Sequence, residues 1–163
     1  RVSRFEESVQ ILSGLLDGET VSFSGRFHHV EGARLLPRPA RPIPLLIAGN
    51  GPRMLQITAK HADAWNTAWY AMPDEQLHAR LAALDAALAD VDRDPSSIRR
   101  TVGVWVEDPG LIPEQDRDPD AFAGSTGELT RLLATYNELG IDDLIVGLTP
   151  MSIQSLERLA AAR

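Results

Sequence analysis

The sequence predicts a parallel α/β fold, and two patterns carry that expectation. Short β-prone runs stand at Leu45–Ala48, Ala62–Thr67, Thr101–Val106 and Leu144–Val146. Each is followed by a stretch whose apolar residues recur at helical spacing. A series of βα units implies a parallel sheet with right-handed crossovers. Four units are half of a (β/α)8 TIM-type barrel, which takes about 250 residues. They also suffice for a small open doubly wound sheet, and periodicity fits both.

The elements follow in order. Phe5, Val9, Leu12 and Leu16 form the apolar stripe of a first helix, which Asp17-Gly18 ends. That stripe starts almost at Arg1, so the chain is expected to begin inside a larger pattern. Residues 1–18 are then a helix, 19–44 a hairpin and connector, and 45–163 four βα units of a single domain. Val21–Val30 alternates and is broken at Ser24-Gly25, as a short hairpin would be. Pro37, Pro39, Pro42 and Pro44 force an extended connector. Leu45-Leu46-Ile47-Ala48 is expected to be buried on both faces, with Met54, Leu55 and Ile57 marking the helix after it. Leu77, Leu81, Leu84, Leu88 and Val91 stripe the next helix, and Asp74 and Glu75 sit in its electropositive first turn. The acidic stretch Glu107–Asp120 has no period and is expected to be a mobile lid or solvated loop. Ser125 and Glu128 have capping-box spacing ahead of Leu129, Leu132, Leu133, Tyr136 and Leu139, and Gly140 closes that helix. Ile153, Leu156 and Leu159 mark the last one.

Composition narrows the function classes. The chain has 163 residues, 44% of them apolar, enough for a core. Sixteen Lys and Arg against 23 Asp and Glu leave a net charge of −7, without the clustered basic residues of a nucleic-acid grip. No run approaches the roughly 18 apolar residues of a membrane span. No signal-peptide pattern is seen, so a cytoplasmic location is expected. Cysteine is absent, which excludes disulfides, thiolate catalysis and Cys-bound zinc. Lys60 is the sole lysine and the one possible seat for Schiff-base chemistry.

Gly49-Asn50-Gly51-Pro52-Arg53 lies at a strand-to-helix junction. Backbone N–H groups there can meet an anion at the positive end of a helix, and Arg53 can reach a phosphate. The plainer alternative is a tight turn whose glycines serve φ > 0. Trp65, Asn66 and Thr67 stand at the exit of the next strand, the end where parallel α/β folds bind ligands. Trp65 either walls a flat ring or fills the core. Asp63 is expected to be structural. Trp105, on the third strand, either faces the same pocket or packs inside. His28 and His29 are adjacent on a strand and point to opposite faces, so they cannot share a metal. His61 and His78 have no acid or base partner at a recognisable spacing, the acidic stretch lacks an EF-hand pattern, and no metal site is expected. No nucleophile elbow is present. The residues therefore offer an anion site and no catalytic acid, base or nucleophile.

Several of these stretches, in this order, resemble the bacterial luciferase-like monooxygenases. They are Arg4-Phe5-Glu6-Glu7 through Asp17-Gly18, Val21–Phe27, Pro42–Gly49, Ala59–Thr67, and Gly124–Glu128 with Leu139–Asp142. The resemblance implies a (β/α)8 barrel of which this chain is the C-terminal half. It implies an oxidoreductase using FMN or a deazaflavin (coenzyme F420) on a small-molecule substrate. It also implies that Gly49, Asn50, Gly51, Arg53, Trp65, Asn66 and Thr67 bind the cofactor. The catalytic residues would then lie in the first four units, so none is assigned here. Half a barrel leaves open strand edges, and a homodimer is expected. A non-catalytic flavin-binding half-barrel and an unrelated α/β phosphometabolite-binding domain are the alternatives.

Overall fold

The computed structural model describes residues 1–162. In chain order the elements are α1 (Val2–Leu16), β1 (Val21–Ser24), β2 (His29–Ala33), β3 (Leu46–Ala48), α2 (Pro52–His61), β4 (Ala64–Tyr70), α3 (Glu75–Ala89), β5 (Arg99–Glu107), α4 (Thr126–Glu138), β6 (Asp143–Thr149) and α5 (Ile153–Ala161). After the antiparallel β1–β2 hairpin, strand and helix alternate through four βα units. The last four strands form one sheet in the order β3-β4-β5-β6. Sheet order following chain order is what successive right-handed βα crossovers in a barrel wall produce.

Two compact units divide the chain: residues 1–65 with 83–98, and residues 66–82 with 99 onward. In the first, Glu7 of α1 makes three bonds to the hairpin, beside Ser8, which pairs with the His28 ring, and Arg4, which lies over Phe27. The Glu7 carboxylate accepts backbone N–H groups of Arg26, Phe27 and His28 at 2.9, 2.9 and 3.0 Å. Desolvation pushes this carboxyl up, but the three donors together outweigh it and its pKa lies below the ordinary 4.5. Val9, Ile47, Leu55, Ile57, Trp65, Leu84 and Leu88 are buried there. Asp63 is structural, as its position suggested: its Oδ2 accepts the Leu45 N–H at 2.7 Å, while the Leu45 carbonyl accepts the N–H groups of Asp63 and Ala64.

The second unit is built on β5 and β6, which pair in parallel from Thr101–Asp143 to Glu107–Thr149. Its core includes Leu77, Val102, Val104, Val106, Leu129, Leu132, Tyr136 and Ile141. The Ser125–Glu128 capping box forms as the spacing predicts, the Ser125 Oγ accepting from the Glu128 N–H and the Glu128 carboxylate from the Ser125 N–H. Gly140 follows α4 at φ +73°, the left-handed stop that the helix end requires.

Two expectations are corrected. Leu46 is 47% exposed while Ile47 is 2% exposed, so β3 is covered on one face and not on both. β4 continues three residues past Thr67, to Tyr70. The acidic stretch is a largely exposed loop, as expected, and it is tied at several points: the Glu107 carboxylate accepts the Asp118 N–H, Arg117 donates to the carbonyls of Ile112 and Pro109, and Phe122 bonds back to β5. The backbone there finds partners that no periodicity announces.

Candidate functional site

The predicted residues fall on two successive strand exits. At the first, Gly51 is the N-cap of α2 at φ −73° and ψ 149°, a conformation any residue adopts. The glycines of Gly49-Asn50-Gly51 are therefore not there for φ > 0, since none has it. A Cβ on Gly51 would meet nothing within 4 Å, so the glycine leaves open space in front of the helix. No side chain caps α2, Pro52 occupies the first turn, and no acidic residue stands in that turn. The Arg53 and Met54 N–H groups thus have no side-chain acceptor, and the positive end of the helix is not neutralised. Arg53 itself donates to the Glu6 carboxylate at 3.1 Å, with more than half of the arginine side chain exposed. Such a surface pair is worth at most about 1 kcal/mol and yields readily to a better anion.

Trp65 is fully buried, and its indole N–H donates to the Gly49 carbonyl at 3.0 Å. It braces the first exit from within the core instead of walling a ligand with an exposed ring. Lys60 and His61 close the far end of α2. Burial, more than any neighbour, lowers the His61 pKa, which keeps the ring neutral around pH 7.

The second unit holds the remaining two predicted residues. Thr67 is buried, and its hydroxyl accepts from Arg80 Nη1 at 2.9 Å. The same guanidinium donates to the Tyr70 hydroxyl at 2.6 Å. Thr67 is thus committed to a network with α3. Asn66 differs: its Oδ1 is buried and has no hydrogen-bond partner. A buried amide oxygen without a donor is costly, which sets Asn66 apart from Thr67.

Trp69, which the sequence did not single out, and Trp105, which it did, stack with centroids 4.7 Å apart and planes 27° apart. Both remain exposed at the C-terminal ends of β4 and β5. Each lies over a glycine of the next strand, Trp69 over Gly103 and Trp105 over Gly147. The signal for Trp69 was its place two residues beyond Thr67, hidden because the strand was expected to stop there. At the exit of β5, Glu107 and Asp108 are buried, and Asp108 Oδ2 has no partner. Arg158 reaches the Glu107 and Gly124 carbonyls nearby. Among the described residues no group of three or more His, Asp or Glu is placed to hold a metal, and no helix is long and apolar enough to cross a membrane.

Four consecutive βα units thus carry polar and aromatic groups at their strand exits, the end where parallel α/β proteins bind ligands. The comparisons with known proteins make this specific. The description of the luciferase-like monooxygenases matches residues 1–107, and the chain belongs to that family. It is 29% identical over 98 residues to an F420-dependent hydroxymycolic acid dehydrogenase of Mycobacterium tuberculosis, covering 60% of this chain and 26% of that protein. It is 25% identical over 120 residues to an F420-dependent glucose-6-phosphate dehydrogenase of Gordonia bronchialis, covering 72% and 36%. Among solved structures, an F420-dependent secondary alcohol dehydrogenase in complex with an F420–acetone adduct superposes with a TM-score of 0.75 at 18% identity, over 99% of this chain and 62% of that one. An EDTA monooxygenase from Chelativorans superposes at 0.70 and 13% identity, over 96% and 56%. The fold is therefore that of the luciferase-like TIM barrels, and this chain spans less than two thirds of each of these relatives.

Proposed function

We propose that the protein is a luciferase-like oxidoreductase of the monooxygenase type, using reduced FMN or a deazaflavin (coenzyme F420) on a small-molecule substrate. In this proposal the chain supplies the C-terminal four βα units of the barrel and the cofactor-phosphate site. The observation that carries it is the uncapped first turn of α2, with open space at Gly51. The F420-dependent relatives support the deazaflavin class.

The residues fit such a group. The backbone of Gly49, Asn50 and Gly51 and the N–H groups of the first turn would take the phosphate, with Arg53 leaving Glu6 to pair with it. Trp65 would hold the Gly49 carbonyl out of the way. Asn66 would accept a hydrogen bond from the cofactor at its unpartnered Oδ1. Thr67, tied to Arg80 and Tyr70, would keep β4 in place. When bound, the ring system supplies the electron chemistry, oxygen activation by a reduced flavin or hydride delivery by a deazaflavin. The protein's own part is binding and orientation.

Titrating the protein with FMN and with F420, followed by cofactor fluorescence, tests the proposal. Micromolar binding of one of them is expected, with Arg53→Ala weakening it about tenfold through loss of a charge-assisted contact. Absence of micromolar binding of both overturns it.

A further inference from the structure

The pair Trp69–Trp105 has no place in the phosphate site and no role in the packing of the helices. Its position is nevertheless set firmly. A Cβ added to Gly103 would lie 2.6 Å from the Trp69 ring, and one added to Gly147 would run into the Trp105 ring. Gly147 is also the register partner of Trp105. An indole thus takes the space beside each glycine, and the two rings stack on each other while staying 46% and 37% exposed. Two large rings held in one geometry and left wet are an unusual use of apolar surface.

These rings form one wall of a cavity of about 490 Å³ at the C-terminal ends of β4 and β5. The other walls come from the loops that follow those strands, Asp74 from one and Asp118 and Asp120 from the other. Loops of this kind carry ligand contacts in barrels of this type. No Lys, Arg or His lines the cavity. Asp74 Oδ1 accepts the Leu77 N–H and Asp118 Oδ1 the Asp120 N–H. None of the three carboxylates is in an ion pair among the described residues. Aromatic faces attract a cation through their quadrupole, and carboxylates at the rim add Coulomb attraction while repelling anions.

We infer that the Trp69–Trp105 cavity is a substrate subsite for an organic cation, an ammonium or guanidinium carried on a small apolar body. As a substrate subsite it rests on the oxidoreductase proposal; as a binding site it does not.

The test is a titration of the full chain with choline and with its neutral isostere 3,3-dimethylbutan-1-ol, read by tryptophan emission. Saturable binding of choline is expected in the millimolar range or tighter, with the neutral isostere weaker by about tenfold. Trp105→Ala should abolish the choline response. Should that variant lose its far-UV circular dichroism, the double variant D118N/D120N decides, since both side chains are exposed. It should weaken choline by several-fold and leave the isostere unchanged. Equal binding of choline and isostere, no binding of choline up to about 10 mM, or an unchanged D118N/D120N each overturns the inference. Flavin titrations on the same sample separate the two proposals. Flavin binding without choline binding overturns this inference alone. Choline binding without flavin binding overturns the oxidoreductase proposal, and with it the substrate role of the cavity.

Discussion

At the level of single residues, the contact between Trp105 and Gly147 makes the sharpest prediction. The indole occupies the space a Cβ at 147 would need, so Gly147→Ala must push the ring off its seat. Overpacking of this kind costs about 1–3 kcal/mol. The expected result is a lower urea midpoint for G147A in the wild-type background. With Trp105→Ala already present, the space is free and the same change should cost close to nothing. The coupling in that double-mutant cycle measures the contact, and additive effects would mean that the ring does not sit there. Residues of this sort were only half legible beforehand. Trp105 stood out on an apolar strand, but its glycine lies 42 positions on, in another strand. Which residue a side chain covers depends on register, and register is not written in either strand alone. Asn66 shows the opposite case: its type and place suggested a site, and its unpartnered oxygen is compatible with one.

Among elements, those governed by local rules were the readable ones. The Ser125–Glu128 box, the stop at Gly140 and the stripe of α3 each involve residues within a few positions of one another. The clamp of Glu7 on the hairpin spans about twenty positions and left no local mark. Its consequence is a dependence on pH. A carboxyl whose pKa is lowered on folding stabilises the folded form fully above its unfolded value, here about 4.5, and that contribution is lost as pH falls through the lower folded value. The contact between α1 and the β1–β2 hairpin should therefore loosen in acid below about pH 4.5. Hydrogen exchange at the amides of Arg26, Phe27 and His28 would report it. Glu7→Gln should speed exchange there at pH 7 and flatten the acid response. Protection that is the same in both proteins at both pH values would show that the clamp carries no stability.

For the whole molecule, the alternation of strand and helix fixed the topology, while the barrel class came through the family resemblance and not through periodicity. What periodicity missed was the exposed face of β3. An apolar run reads alike whether it is covered on both faces or on one, so the exposure of Leu46 was invisible. Apolar exposure recurs in the second unit, where Met151 just before α5 and Ile153 and Leu156 on it are each at least half exposed. Contiguous apolar surface of this kind favours association, and we propose that the protein is a homodimer. Sedimentation equilibrium should give twice the chain mass, and Ile153→Asp with Leu156→Asp should return it to the monomer mass. A wild-type protein that sediments as a monomer at every concentration would contradict this.

The uncapped start of α2 has a thermodynamic consequence of its own. A helix with glycine at its N-cap, as α2 has at Gly51, forgoes roughly a few tenths of a kcal/mol relative to a capping Ser, Thr, Asn or Asp. Its first turn is therefore the place where that helix opens most easily. Any anion that settles on the N–H groups of Arg53 and Met54 supplies the missing acceptor. By linkage, the order of that turn then rises with the concentration of the anion. Under the proposed function, the closing of that helix end and the filling of the phosphate site would be one equilibrium, with the ligand as the cap that the sequence omits.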